Sequence, residues 1–122
     1  MNLVDSSGWL EYFMDGANAD TFKPAIQDEA NLLIPTICLY EVFKVLLSRR
    51  GEEEALQIIG FMSAGRIVNI DREIALVAAQ ISLEHKLAMA DSLILATAQA
   101  HEAVLWTKDK HFKDVPGARY IG

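Results

Sequence analysis

The sequence predicts an α/β fold, a parallel sheet covered by helices on both faces. Short apolar, β-compatible runs (NLV, NLLIP, RIVNI, AVLWT and ARYIG) recur along the chain. The first four are separated by stretches of helical length with apolar faces, the pattern that right-handed βαβ crossovers produce. The third observation is size. The chain has 122 residues, 52% of them hydrophobic, enough for one well-buried core in a single domain spanning 1–122.

Each element has its own local signal. NLV is a first strand, and Ser6 or Ser7 is placed to cap the helix that follows, with Trp9, Leu10 and Phe13 inward. NADTFKPAIQDEA reads as a second helix whose boundaries Pro24 puts in question, and NLLIP as a buried strand stopped by Pro35. Thr36 is the expected cap of ICLYEVFKVLLSRR, which Gly51 ends. Three glutamates open the next helix, where they complement its dipole, and Gly65 closes it. RIVNI is a strand, and Asp71 caps the periodic helix DREIALVAAQISLEHK. After LAMA, DSLILATAQAHE is a helix with Asp91 at its start. AVLWT is the fourth strand, KDKHFKDVPG a loop or short helix, and ARYIG an edge strand.

The totals exclude several classes. A formal charge of −6 argues against broad electrostatic capture of nucleic acid, although a bound cation can supply positive charge locally. The single cysteine, Cys38, lies in an apolar stretch and reads as a small buried hydrophobe, as in a cytoplasmic protein. No run of about 18 apolar residues and no basic leader segment occurs, so neither a membrane span nor a signal peptide is expected.

Open parallel sheets bind ligands beyond the carboxyl ends of their strands. Asp5 ends the first strand and Asp109 lies just past the fourth; alone, each could be an ordinary turn or cap residue. Asp91, as a helix N-cap, would point at the same edge. Glu41 sits on a narrow polar stripe with Lys44 and Ser48 in a helix otherwise apolar nearly all round. It is either half of a solvated pair with Lys44 or a carboxylate facing a recess at the top of the sheet. Four carboxylates gathered at one edge repel one another unless a cation sits among them. A hard divalent ion such as Mg²⁺ suits oxygen ligands, polarises a phosphodiester and lowers the pKa of an attacking water.

NLVDSSGW, PTICLYEVFKVLLSRRG, MADSLILATAQAH and VLWTKDKHF together resemble the PIN-domain ribonucleases, most closely the VapC-type toxins of toxin–antitoxin pairs, along essentially the whole chain. The resemblance implies a three-layer α/β/α sandwich around a mostly parallel five-stranded sheet. It implies that Asp5, Glu41, Asp91 and Asp109 are the catalytic acids and hold one or two Mg²⁺ or Mn²⁺ ions. It implies cleavage of RNA to 5′-phosphate and 3′-hydroxyl ends, with Ser6 and Thr107 as supporting hydroxyls. A cognate antitoxin and a homodimer are the implied protein partners. Where many relatives carry a further acid, this chain has His111, which puts a second metal position in question; Asp114 is the nearby candidate to compensate.

Among the remaining residues, Arg49, Arg50, Lys108, Lys110 and Lys113 are candidate phosphate contacts, or else helix-end and loop charges. The three histidines form no close pair, which argues against a metal-free histidine ribonuclease, and Trp9 and Trp106 read as core residues. Two further readings of the acids are an RNA-processing PIN nuclease without an antitoxin and a non-catalytic binding domain. A receiver-like signalling module fails because ARYIG offers no lysine at the end of the fifth strand.

Overall fold

Leu3 and Val4 are both completely buried, yet they belong to different cores. Successive side chains of a strand point to opposite faces, so a strand with two neighbours and two buried faces must lie in the middle of a covered sheet. In the computed structural model, which describes residues 1–122, β1 (Asn2–Val4) is that central strand. The others are β2 (Leu32–Pro35), β3 (Arg66–Val68), β4 (Val104–Thr107) and β5 (Ala118–Tyr120). Their order is β3-β2-β1-β4-β5, and every pairing is parallel. The sheet is therefore wholly rather than mostly parallel.

Six helices cover it: α1 (Ser6–Phe13), α2 (Ala19–Gln27), α3 (Thr36–Arg50), α4 (Glu52–Met62), α5 (Arg72–His85) and α6 (Met89–Ala100). On one face Val4, Leu32 and Ile34 meet Trp9, Phe22, Val42, Leu46 and Met62 from α1 to α4. On the other, Leu3, Leu33 and Leu105 meet Ile74, Ala78 and Ile81 of α5 and Ile94, Leu95 and Ala98 of α6. Burial of about 25 cal/mol per Å² of apolar surface makes these two clusters the main source of stability. Trp9, Tyr12 and Phe13 of α1 also form an aromatic group with Phe61 of α4, at centroid distances of 5.3 to 6.4 Å.

Several helix boundaries differ from those expected. Neither Ser6 nor Ser7 caps α1; Asp5 does, accepting from the Gly8 N–H at 3.0 Å. Thr36 is the first residue of α3 rather than its cap, because extended Pro35 already turns the chain. Asp91 is the third residue of α6, which begins at Met89 after extended Ala88, so it caps nothing. Pro24 is accommodated inside α2, and α4 ends at Met62, before Gly65. Asp71 does cap α5, accepting from the Ile74 N–H at 2.9 Å, and Gly51 ends α3 with φ 86. No helix is long and apolar enough to cross a membrane.

Candidate active site

The register of β1 on β4 pairs Val4 with Trp106, so one residue further on Asp5 comes level with Thr107. The Asp5 N–H extends the ladder by donating to the Trp106 carbonyl at 3.1 Å. Past that point the two chains diverge, one into α1 and the other into a short 3₁₀ turn, Lys110–Phe112. A crevice at this reversal of strand order is where open α/β sheets bind ligands.

Asp5 is buried and held by three donors. Ser7 Oγ reaches Oδ1 at 2.5 Å, the Gly8 N–H reaches Oδ1 at 3.0 Å, and Thr107 Oγ1 reaches Oδ2 at 2.6 Å. Burial pushes its carboxyl pKa up; the three hydrogen bonds oppose that and the Asp109 charge adds to it. Thr107 in turn accepts from the Asp109 N–H at 2.9 Å, and Ser7 accepts from the Lys108 N–H at 2.9 Å. Two hydroxyls thus tie the first turn of α1 to the segment after β4. Ser6 serves a different acid: it donates to Glu41 Oε1 at 2.9 Å. The supporting role of Ser7 is missing from the sequence reading: Asp5 is its near neighbour, but the Lys108 N–H that it also bonds lies a hundred residues on and leaves no local signal.

Glu41 stands five residues into α3, about 7.5 Å along its axis from the sheet edge. It is half-buried, and Lys44 makes no ion pair with it; the ammonium lies 5.7 Å from the centre of the Tyr40 ring instead. Asp91 projects from the first turn of α6. Burial, and then the charges of Asp109, Asp5 and Glu41, raise its pKa to about 6, with His111 pulling the other way. That set of neighbours places all four sequence-selected acids in one electrostatic cluster. Cys38 lies beneath it, fully buried, its thiol pushed further up by burial and then by Asp5 and Glu41.

Ligand atoms of Asp91, Asp109 and His111 lie within 4.8 Å of one another. The imidazole Nδ1 is 2.9 Å from Asp109 Oδ1. His111, rather than Asp114, is the residue that this segment adds to the cluster. No lysine or arginine pairs with any of the four acids. Lys108, a candidate phosphate contact, reaches away to Glu11 Oε2 at 3.0 Å, and its hydrogen bond lowers the Glu11 pKa. Lys110 and Lys113 are exposed, Arg49 lies at the surface with Nη1 3.9 Å from Met14 Sδ, and Arg50 pairs with Glu54.

The sequence profile of the PIN domain matches residues 3–118. The chain belongs to the PIN-domain family. Its fold is that of a protein in a toxin–antitoxin complex from Klebsiella pneumoniae, with 26% identity, a TM-score of 0.81, and coverage of 99% of this chain and 100% of that one. The PIN fold also aligns with VapC20 of Mycobacterium tuberculosis, a toxin that cleaves the sarcin–ricin loop, at 16% identity and TM-score 0.76 over 95% of each chain. A chain of the DNA-bound VapBC complex of Salmonella typhimurium aligns at 20% identity and TM-score 0.73, covering 99% of this chain and 98% of that one. A comparison with curated protein sequences gave no match. Two of these three solved structures are of VapC or VapBC proteins, the group that the sequence motifs resemble.

Hard oxygen donors with a single imidazole, and no built-in ammonium or guanidinium, fit a divalent cation. Burial, and after it the neighbouring carboxylates, raises the Asp91 pKa, and a bound cation would lower it.

Proposed function

We propose that this PIN domain is an Mg²⁺- or Mn²⁺-dependent endoribonuclease and the toxin of a toxin–antitoxin pair. The observation that carries the reading is the convergence of Asp5, Glu41, Asp91 and Asp109 on one sheet edge without a lysine or arginine among them. These four residues would hold the metal, with Ser7, Thr107 and Ser6 fixing the carboxylates of Asp5 and Glu41. When bound, such an ion polarises a phosphodiester and acidifies a water at the site. Asp5 keeps its orientation through three hydrogen bonds, so little is lost in ordering it as substrate arrives. Lys110 and Arg49 are free to meet RNA phosphates, and Lys108 can do so only by leaving Glu11.

Likeness to solved toxin–antitoxin complexes supports an antitoxin partner. An apolar groove of about 250 Å³ between α3 and α4, lined by Leu39, Tyr40, Phe43, Leu56 and Ile59, suits one of its side chains. A homodimer and a cytoplasmic location complete the reading.

The test is cleavage of single-stranded and structured RNA by the purified protein, with Mg²⁺ or Mn²⁺ and with EDTA. Cleavage should require the ion, leave 5′-phosphates and fall to background in Asp5→Asn and Asp109→Asn. Metal-independent cleavage, or undiminished activity in both variants, would overturn the assignment.

A further inference from the structure

We infer that His111 is itself a metal ligand, and that its nitrogen makes the site favour Mn²⁺ over Mg²⁺. The inference rests on the metal-dependent reading above and adds to it an ion preference set by one side chain. Nδ1 of His111 and Oδ1 of Asp109 are 2.9 Å apart. That is hydrogen-bond length. It is also about the spacing of two ligand atoms that meet one small ion at a right angle with bonds of roughly 2.1 Å. A proton can fill this gap, and so can a cation. A carboxylate oxygen of Asp91 completes the group within 4.8 Å.

The imidazole does not reach this place by chance rotation of a loose loop. Phe112, its neighbour, is fully buried in the core beneath the sheet. Asp109 caps the 3₁₀ turn by accepting from the His111 N–H at 2.9 Å, and its own N–H is held by Thr107. The backbone is therefore anchored on both sides of a side chain that is 68% exposed. Its exposure leaves the ring open to an ion from solvent and makes the position tolerant of substitution. The other two histidines take no part in the cluster: His85 is beside Glu84, and His101 bonds the Thr97 carbonyl within α6's last turn.

Chemistry supplies the preference. Mg²⁺ is hard, favours oxygen and sheds water reluctantly, so an imidazole adds little to its binding. Mn²⁺ also suits carboxylates, but as a transition-metal ion it takes a nitrogen ligand more readily than Mg²⁺ does, so the imidazole adds more to its affinity. Replacing the imidazole with a third carboxylate should move the site towards Mg²⁺.

The test uses the whole protein and does not depend on turnover. Mn²⁺ and Mg²⁺ affinities are measured by calorimetry for the wild type, His111→Asn and His111→Asp. Pulsed electron paramagnetic resonance of the Mn²⁺-loaded proteins then reads any ¹⁴N coupling from a directly bound ring. The wild type should show that coupling and His111→Asn should lose it. Mn²⁺ affinity should fall about tenfold in His111→Asn, the lower end of the scale seen when a ligand shell is perturbed. His111→Asp should narrow or reverse the Mn²⁺:Mg²⁺ ratio. Tight Mn²⁺ binding without nitrogen coupling, or an unchanged ratio in His111→Asp, overturns this inference and leaves the acid site intact. Failure of the wild type to bind either ion overturns both.

Discussion

At the scale of single residues, the informative group is Asp91. Its carboxyl is raised from 3.8 to about 6 by burial and by Asp109, Asp5 and Glu41. A carboxyl whose folded-state pKa lies above its unfolded value favours the fold most when protonated. Its contribution is therefore largest below about 3.8 and is lost as pH climbs through about 6. The full two-unit shift would correspond to roughly 3 kcal/mol, and solvent screening of a half-buried group reduces this to on the order of 1–2 kcal/mol. Metal-free protein should accordingly lose stability between pH 4 and 6.5, and Asp91→Asn should flatten that slope. Chemical denaturation at a series of pH values in EDTA measures it; equal slopes for the two proteins would mean that the crowding is absent in solution. Residues such as Asp91 were legible in the sequence because acids at strand and helix ends are placed by local rules. The Lys108–Glu11 pair and the bond from the Lys108 N–H to Ser7 were not, because those partners are set by tertiary register.

At the scale of elements, α1 couples the core to the site. Its first turn carries the Asp5 cap, Ser6 and Ser7, and its second residue pair packs directly on β1 through Gly8. A Cβ added at Gly8 would stand 2.6 Å from Val4 Cγ1 and 2.8 Å from Phe22 Cε1, closer than packed atoms approach. Gly8→Ala should therefore push α1 away from β1 and α2. We expect a stability loss of about 1–3 kcal/mol, typical of overpacking, together with reduced RNA cleavage because Asp5 loses the Gly8 N–H. Denaturant midpoints and cleavage rates on the same preparation check both; a fully stable, fully active variant would place the coupling elsewhere. Element existence and order were readable from strand–helix alternation, and so was the Asp71 start of α5, whereas the starts of α1, α3 and α6 were not. Thr36 and Asp91 carry strong capping preference, yet extended backbone at Pro35 and Ala88 starts each helix earlier and without a side-chain cap. Asp91 is thereby freed from capping and stands beside Asp109 and His111.

At the scale of the whole molecule, the order β3-β2-β1-β4-β5 concentrates charge that the sequence spreads over a hundred residues. The chain already carries −6, and four of its acids are drawn to one edge, so part of the folding free energy is spent against electrostatic repulsion. An ion that binds only the folded state returns it. At a hundredfold excess over Kd the gain is about 2.7 kcal/mol, which raises the melting temperature of a domain this size by roughly 10 °C. Glu41→Gln separates the charge from the scaffold, since a carboxamide oxygen can still accept from Ser6. The variant should melt higher than the wild type in EDTA and gain less from Mn²⁺ or Mg²⁺. Scanning calorimetry of both proteins, with and without each ion, reads the two effects independently. If Glu41→Gln melts lower than the wild type in EDTA and responds equally to metal, Glu41 is a structural partner of Ser6 and stands outside the ion's reach.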